Sequence, residues 1–469
     1  METMKNNTNR LKAIDYFRKI SEIPRGSGNC GKIADYMESF AKSLGLSYIR
    51  DNADNLIIFK PAAKGRENDP AVMIQGHLDM VCEKRDGVVH DFSKEGVKLI
   101  ETGDILSADG TTLGADDGIA VSLMMELLAD GSLDAPALEC VFTTDEEIGM
   151  LGAVAIDLSS CRAKYLINAD SEEEGVFTCG CAGGLGLDFS IPVEKETVTG
   201  DFVKVSVSGL LGGHSGTEID KGRQNGIKLL ASLLSDEDRI VKIERDGKDN
   251  AIPARCDATV LGDGEKIRER FEAIDDFGCE KNVRLDISKI EDAAYSVLTA
   301  DSQKRVLEFL HNVPYGIKKM CDEPKGLVHT SDNIGILNTE ENKITGTLSV
   351  RSIEKESGDA LTEELIKLIN KCGGTTLIHG AYPGWNYKKD SVLRDTMVEV
   401  YERVYGKKVR IDVIHAGLEC GVILSKMPSL DIVSIGCDIR DIHTPDECMS
   451  ISSLEAMVKF AREVLRVLK

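Results

Sequence analysis

AVMIQGHLDMV, residues 71–81, carries an apolar strand straight into a histidine and an aspartate two positions apart. Side chains at i and i+2 of a strand leave the same face, so His77 and Asp79 emerge side by side where the strand ends. A metal-bound imidazole needs such a neighbour, because a carboxylate on its second ring nitrogen holds tautomer and orientation. Alone, the pair is an ordinary H-x-D. Its meaning comes from the other segments that end in the same way.

There are three of these, and a related fifth stretch. A Gly-Ala-Asp-Asp turn with Asp116 and Asp117 precedes a helix expected over Gly118–Ala129. A strand expected over Leu138–Thr143 runs on to Glu146 and Glu147, and one over Lys164–Asn168 runs on to Asp170. CDIRDIHTPDE (437–447) offers His443 just before a Ser450–Val467 helix. Oxygen and nitrogen donors without cysteine suit zinc, manganese or cobalt, and a mixed His/carboxylate set suits a catalytic rather than a structural site. Two histidines with three or four carboxylates are too many for one zinc and suitable for two. Metals about 3.5–4 Å apart need one carboxylate to bridge them. One more carboxylate, off the metal, must take the proton from the attacking water.

The chain has 469 residues, more than a single core accommodates, so two domains are expected. Short strands that are apolar throughout, alternating with helices, predict an α/β catalytic domain with a central, mostly parallel, two-sided sheet. Helical periodicity over 11–45 (Leu11, Ile14, Phe17, Ile20, then Ile33, Met37, Phe40, Leu44) opens it. From about Gly184 the strands alternate polar and apolar residues, which reads as an inserted α+β lid domain with antiparallel pairing. The expected boundaries are 1–184 and 386–469 for the catalytic domain and 185–385 for the lid and dimerisation domain.

The net charge of −22 excludes nucleic acid and anionic membranes as partners, because phosphate would be repelled over most of the surface. METMKNNTNR lacks a leader's apolar core, and no run is long enough to span a membrane. Thirteen cysteines without paired-ligand spacing read as free thiols in a reducing compartment. A cytoplasmic protein is expected.

GHLDMV, GTTLGADDGIAV, TTDEEIGMLGA, NADSEEEG, GGHSGTEI, NAIP (250–253), HAGLECGV and DIHTPDE together resemble the co-catalytic zinc peptidases related to carboxypeptidase G and aminoacylase. The likeness runs the length of the chain, and GLECG with the long insert points to that family's dipeptidase branch. The resemblance implies hydrolysis of unblocked dipeptides, Xaa-His included, by a hydroxide bridging two zinc ions. His77 and Asp170 would bind one ion and Glu147 and His443 the other, with Asp116 as bridge. Glu146 would be general base, and Asp79 would orient His77. The Asp116–Asp117 bond would be cis. His214 would support the oxyanion from the partner subunit of a homodimer.

Arg351, after a strand, is placed to grip a substrate carboxylate in bidentate fashion. Asn250 and Asn333 are candidate amide contacts, Glu419, in the GLECG stretch, is a candidate for the substrate's ammonium end, and Gly417, which opens that stretch, is a candidate substrate contact. Residue types alone also allow a structural loop histidine at 214, an ion pair at 351, turn or capping roles for Asn250, Asn333 and Glu419, and packing for His415. Two other functions stay open: an N-acyl-amino-acid amidohydrolase of the same superfamily, and a non-catalytic metal-binding regulator.

Overall fold

A computed structural model of the chain describes residues 12–322 and 326–469, the side chains of 291–293 excepted. The first eleven residues, where no leader is expected and where the predicted periodicity starts at Leu11, lie outside the described residues. The described residues form two compact units: those within 1–180, 387–413 and 418–469 make the first, and those within 181–386 and 414–417 the second.

The first unit is built on an eight-stranded sheet. At its centre Leu138–Thr143, Val72–His77, Tyr165–Ser171 and Asp431–Gly436 run parallel in that spatial order. Towards one edge Leu56–Lys60 and Ser47–Arg50 add antiparallel, joined by a short turn that only antiparallel neighbours can use. The sheet is therefore mixed, with a parallel centre. Every residue of Val72–His77, Leu138–Thr143 and Asp431–Gly436 is buried, so both faces are covered, as the uninterrupted apolar runs require. Burying side chains such as Met73, Ile74 and Ile167 contributes roughly 1.5–3 kcal/mol each. Helices Ala13–Ser21, Ala115–Ala129, Val392–Tyr405 and Ile451–Val467 pack on one another and share that core. The periodicity expected over 11–45 is broken into Ala13–Ser21 and Gly31–Ser43, because the intervening IPRGSGN turns.

A second, antiparallel sheet of this unit is not apparent in the sequence. Ile439–Arg440 and Cys448–Ser450 pair with each other, and the latter also pairs with Ile105–Ala108, which pairs with Leu99–Thr102. The loop between the first two carries His443. Each strand is too short for an alternation pattern to be read.

The second unit has two larger antiparallel sheets, one of four strands and one of five, over a shared apolar core. Lys195–Ser208 and Arg284–Leu298 form the long pair of the first sheet. Val328–Thr339, Lys343–Ser352 and Gly183–Pro192 form the middle of the second. Helices Gly226–Leu233 and Gly264–Glu272 lie on the first sheet and Lys355–Lys371 on the second. All thirteen cysteines are free thiols. Among the described residues, no helix is long and apolar enough to cross a membrane.

Candidate metal centre

The residues that end the parallel strands meet at one end of the sheet, the carboxyl-terminal edge where open α/β sheets place their ligands. His77 closes its strand and is 1% exposed. Its Nε2 stands 3.0 Å from Asp116 Oδ1 and 3.9 Å from Asp170 Oδ1. Its Nδ1 lies 3.3 Å from Asp79 Oδ1, a close contact that falls short of hydrogen-bond geometry. His443 Nε2 stands 3.2 Å from Asp116 Oδ2 and 3.0 Å from Glu147 Oε1. The two imidazoles therefore face opposite oxygens of one carboxylate. Donor atoms of His77, Asp116 and Asp170 lie within 4.8 Å of one another, as do those of Asp116, Glu147 and His443 and those of His77, Glu146 and Glu147.

Local structure explains each placement. Asp116 and Asp117 stand at the start of the Ala115–Ala129 helix with non-helical backbone angles, and the bond between them is cis. Asp117 is fully buried and accepts the His77 backbone N–H at 3.0 Å, which pins the strand end. Asp79, also fully buried, accepts from Ser27 Oγ (2.8 Å) and from the backbone N–H groups of Glu146 (3.1 Å) and Glu147 (3.3 Å). One carboxylate thus touches His77 and holds the glutamate pair. His443 has φ +60°, a left-handed conformation that a non-glycine residue adopts only under restraint. Its side chain is 45% exposed while His77 is sealed, so the site opens on the His443 side.

The electrostatics fit a cation pair. Burial first, then Asp117 and Asp116, push the Asp170 carboxyl well above the usual range. Burial also lifts Glu146 to about 8, with Glu419, Glu147 and Asp116 adding to the rise against the pull of His77. Asp116 stays low despite burial because His443 and His77 bond to it. Hydrogen bonds to Asp116 and Glu147 hold His443 up at about 10. So many acids packed together repel one another unless positive charge lies among them. A His/carboxylate set with one shared member matches two divalent ions.

In the second unit, Gly213–His214 pairs with Ala251–Ile252. His214 Nδ1 accepts from the N–H groups of Gly216 (3.2 Å) and Thr217 (3.1 Å), so its proton belongs on Nε2. Asn250 precedes the paired strand, and its carbonyl accepts from Ser215 N at 2.8 Å. Arg351 is 9% exposed and donates from Nη1 to Tyr382 OH at 2.7 Å, while its Nε has no partner. His415 is buried, with Nε2 2.7 Å from Ser331 Oγ. Burial and then the Arg351 charge push it down to about 3, so it is neutral.

Two of the expected substrate contacts turn inward. Asn333 is 1% exposed and spends its amide on Asn225 and on the Ala251 carbonyl. Glu419, in the first unit, is fully buried, with Oε2 bonded to Gln75 (2.5 Å) and Thr143 (2.6 Å) and Oε1 without a partner. Gly417 is half-buried in the loop before the Glu419–Lys426 helix. Sequence reasoning missed Arg25 and gave Glu447 no role. Both are buried charges bonded to the backbone of the ligand-bearing segments, and neither position carries a periodic or spacing signal.

The model of peptidase family M20/M25/M40 matches residues 73–467. The chain is 34% identical over 468 residues to the cytosol non-specific dipeptidase of Escherichia coli, covering 96% of each. It resembles the crystal structure of aminoacylhistidine dipeptidase from Vibrio alginolyticus with a TM-score of 0.86 and 32% identity, over 97% of this chain and 96% of that one. Aminopeptidase PepT from Bacillus cereus, at 15% identity and TM-score 0.63 over 98% of both chains, shares the fold. A family match across most of the chain, placed over a His/carboxylate cluster of this geometry, makes the protein a member of peptidase family M20/M25/M40.

Proposed function

We propose that the protein is a cytoplasmic dipeptidase that hydrolyses unblocked dipeptides, Xaa-His among them, with two zinc ions. The observation that carries the reading is Asp116, whose two oxygens face His77 and His443. The named relatives from Escherichia coli and Vibrio alginolyticus support the substrate class.

His77 and Asp170 would hold one ion, Glu147 and His443 the other, and Asp116 both. Manganese or cobalt would suit the same donors. The ions would supply a Lewis-acidic centre that acidifies water and polarises the scissile carbonyl. Asp79 keeps the His77 ring oriented and sets the glutamate pair. Glu146 takes the proton from the attacking water and returns it to the leaving amine, for which a carboxyl near neutrality suits both halves of the transfer. His214 donates from Nε2 to the developing oxyanion, acting across a homodimer. Arg351 would bind the substrate carboxylate through its guanidinium, whose buried Nε has no partner within the protein. Asn250 and Gly417 would contact the substrate, whereas the side chains of Asn333 and Glu419 are spent on internal partners. The second unit serves as lid and dimerisation domain.

Metal analysis with a dipeptide panel tests this. The expected result is two ions per chain and turnover of free dipeptides, with Glu146→Gln retaining metal and losing about 10²–10⁴ in kcat. Near-normal turnover by Glu146→Gln would remove the base. Preference for N-acetylated substrates would favour an N-acyl-amino-acid amidohydrolase, and less than one ion per chain would favour a regulator.

A further inference from the structure

Glu447 lies four residues beyond His443 and is 2% exposed. Its carboxylate accepts four consecutive backbone N–H groups. Leu113 (2.8 Å) and Gly114 (2.9 Å) donate to Oε2, and Ala115 (2.8 Å) and Asp116 (3.4 Å) to Oε1. These residues are the turn that delivers the Asp116 side chain between the two imidazoles.

The other side of the turn is held as well. The Gly114 carbonyl accepts from Arg25 Nη2, and Arg25 Nη1 donates to the carbonyls of Leu78 (3.0 Å) and Asp79 (2.9 Å). Gly114 has φ +70°, and a Cβ there would meet Arg25 Nη2 at 2.5 Å and Met80 Sδ at 2.7 Å. Only glycine fits between the two anchors. Helix capping does not account for Glu447. The N–H groups it accepts precede the regular helix, since Asp116 (ψ 108°) and Asp117 (ψ 39°) are non-helical. A charged acceptor on several backbone donors is among the stronger hydrogen-bonding arrangements, and here it holds a bend rather than a helix end.

We propose that Glu447 is a positioning residue for the metal centre, fixing the Asp116 turn and tying it to the loop that presents His443. The inference rests on the reading of Asp116 as a ligand common to both ions. Loss of the carboxylate lets Asp116 drift from the point midway between the imidazoles. Both ions are weakened while the fold persists.

Cobalt titration of the metal-free enzyme, followed by calorimetry and visible absorbance, tests it. Glu447→Gln keeps the shape but puts an NH₂ group against backbone donors, and Glu447→Asp keeps the charge at shorter reach. Glu139→Gln is the control. Glu139 is 6% exposed and accepts the N–H groups of Arg162 (2.7 Å) and Ala163 (3.1 Å) at the start of its strand, the opposite end from the ligands. The expected result is a folded Glu447→Gln protein with cobalt affinity down about 10–100-fold and a changed absorption band. Glu447→Asp should recover part of both, and Glu139→Gln should bind as wild type does. Wild-type affinity and band in Glu447→Gln, equal losses in Glu139→Gln, or a metal-free Glu447→Gln protein that does not fold would overturn the inference. A wild-type protein that takes fewer than two cobalt ions would instead overturn the dinuclear reading itself.

Discussion

Asp79 Oδ1 accepts the backbone N–H of Glu146 at 3.1 Å and lies 3.3 Å from His77 Nδ1. One buried oxygen therefore sets both a metal-ligand candidate and the candidate base. In Asp79→Asn one of the two acceptor oxygens becomes an NH₂ group facing N–H donors. Activity is expected to fall about 10–100-fold together with metal affinity. Steady-state kinetics and metal titration on one preparation measure both. Undiminished values would separate Asp79 from the centre.

Metal binding is expected to release a proton from His443. Its hydrogen bonds to Asp116 and Glu147 hold the imidazole up at about 10, so at pH 7 the metal-free site keeps it charged. A ligating imidazole must be neutral. Apparent affinity should then rise with pH until about pH 10. Calorimetry in two buffers of different ionisation enthalpy reads the proton directly, and identical heats would contradict the assignment.

Arg351→Lys keeps the charge and loses the planar fork. If Arg351 grips the substrate carboxylate, KM for free dipeptides should rise about tenfold or more, a loss on the order of 1.4 kcal/mol, with a smaller change in kcat. Carboxy-amidated dipeptides lack the group and should respond equally poorly to both proteins. An amidated substrate that loses as much as the free one would assign Arg351 to packing.

Asp332 is 1% exposed, and its carboxylate lies 3.6 Å from Lys318 Nζ without hydrogen bonds. Burial lifts it to about 7 against the opposing charges of Lys318 and Lys228. A raised acid binds its proton more tightly in the folded protein, so its contribution is complete below about pH 4 and lost as pH climbs through 7. The span is on the order of 4 kcal/mol. Urea unfolding of the metal-free protein should show wild type weaker at pH 8 than at pH 5, and Asp332→Asn with that difference reduced. Equal pH dependence in the two proteins would refute it.

Apolar runs with acid or histidine just past their ends were enough to read the parallel centre and to offer candidate donors, because strand period and donor chemistry are local properties. Segment by segment the sequence offers His77, Asp116 with Asp117, Glu146 with Glu147, Asp170 and His443 as candidates, and the choice within each acid pair comes from the family resemblance. The Ile439–Arg440 and Cys448–Ser450 strands that aim His443 could not be read from it, since two or three residues carry no periodicity. The inward turn of Asn333 and Glu419 was equally hidden. An Asn or Glu in a polar loop looks the same in sequence whether its amide or carboxylate faces substrate or is spent on Asn225, Gln75 or Thr143.

By itself the sequence determined which groups are available: two imidazoles, a set of acids beyond strand ends, and an alternating order of elements that makes a covered sheet. Only the tertiary structure decided that Asp116 stands between His77 and His443, and that Arg25 and Glu447 clasp its turn from two sides. The reason is physical. Chain-local preferences are fixed by neighbours a few residues away, whereas a shared carboxylate and its anchors join stretches separated by 39, 327 and 331 positions. Their meeting is set by packing, burial and charge.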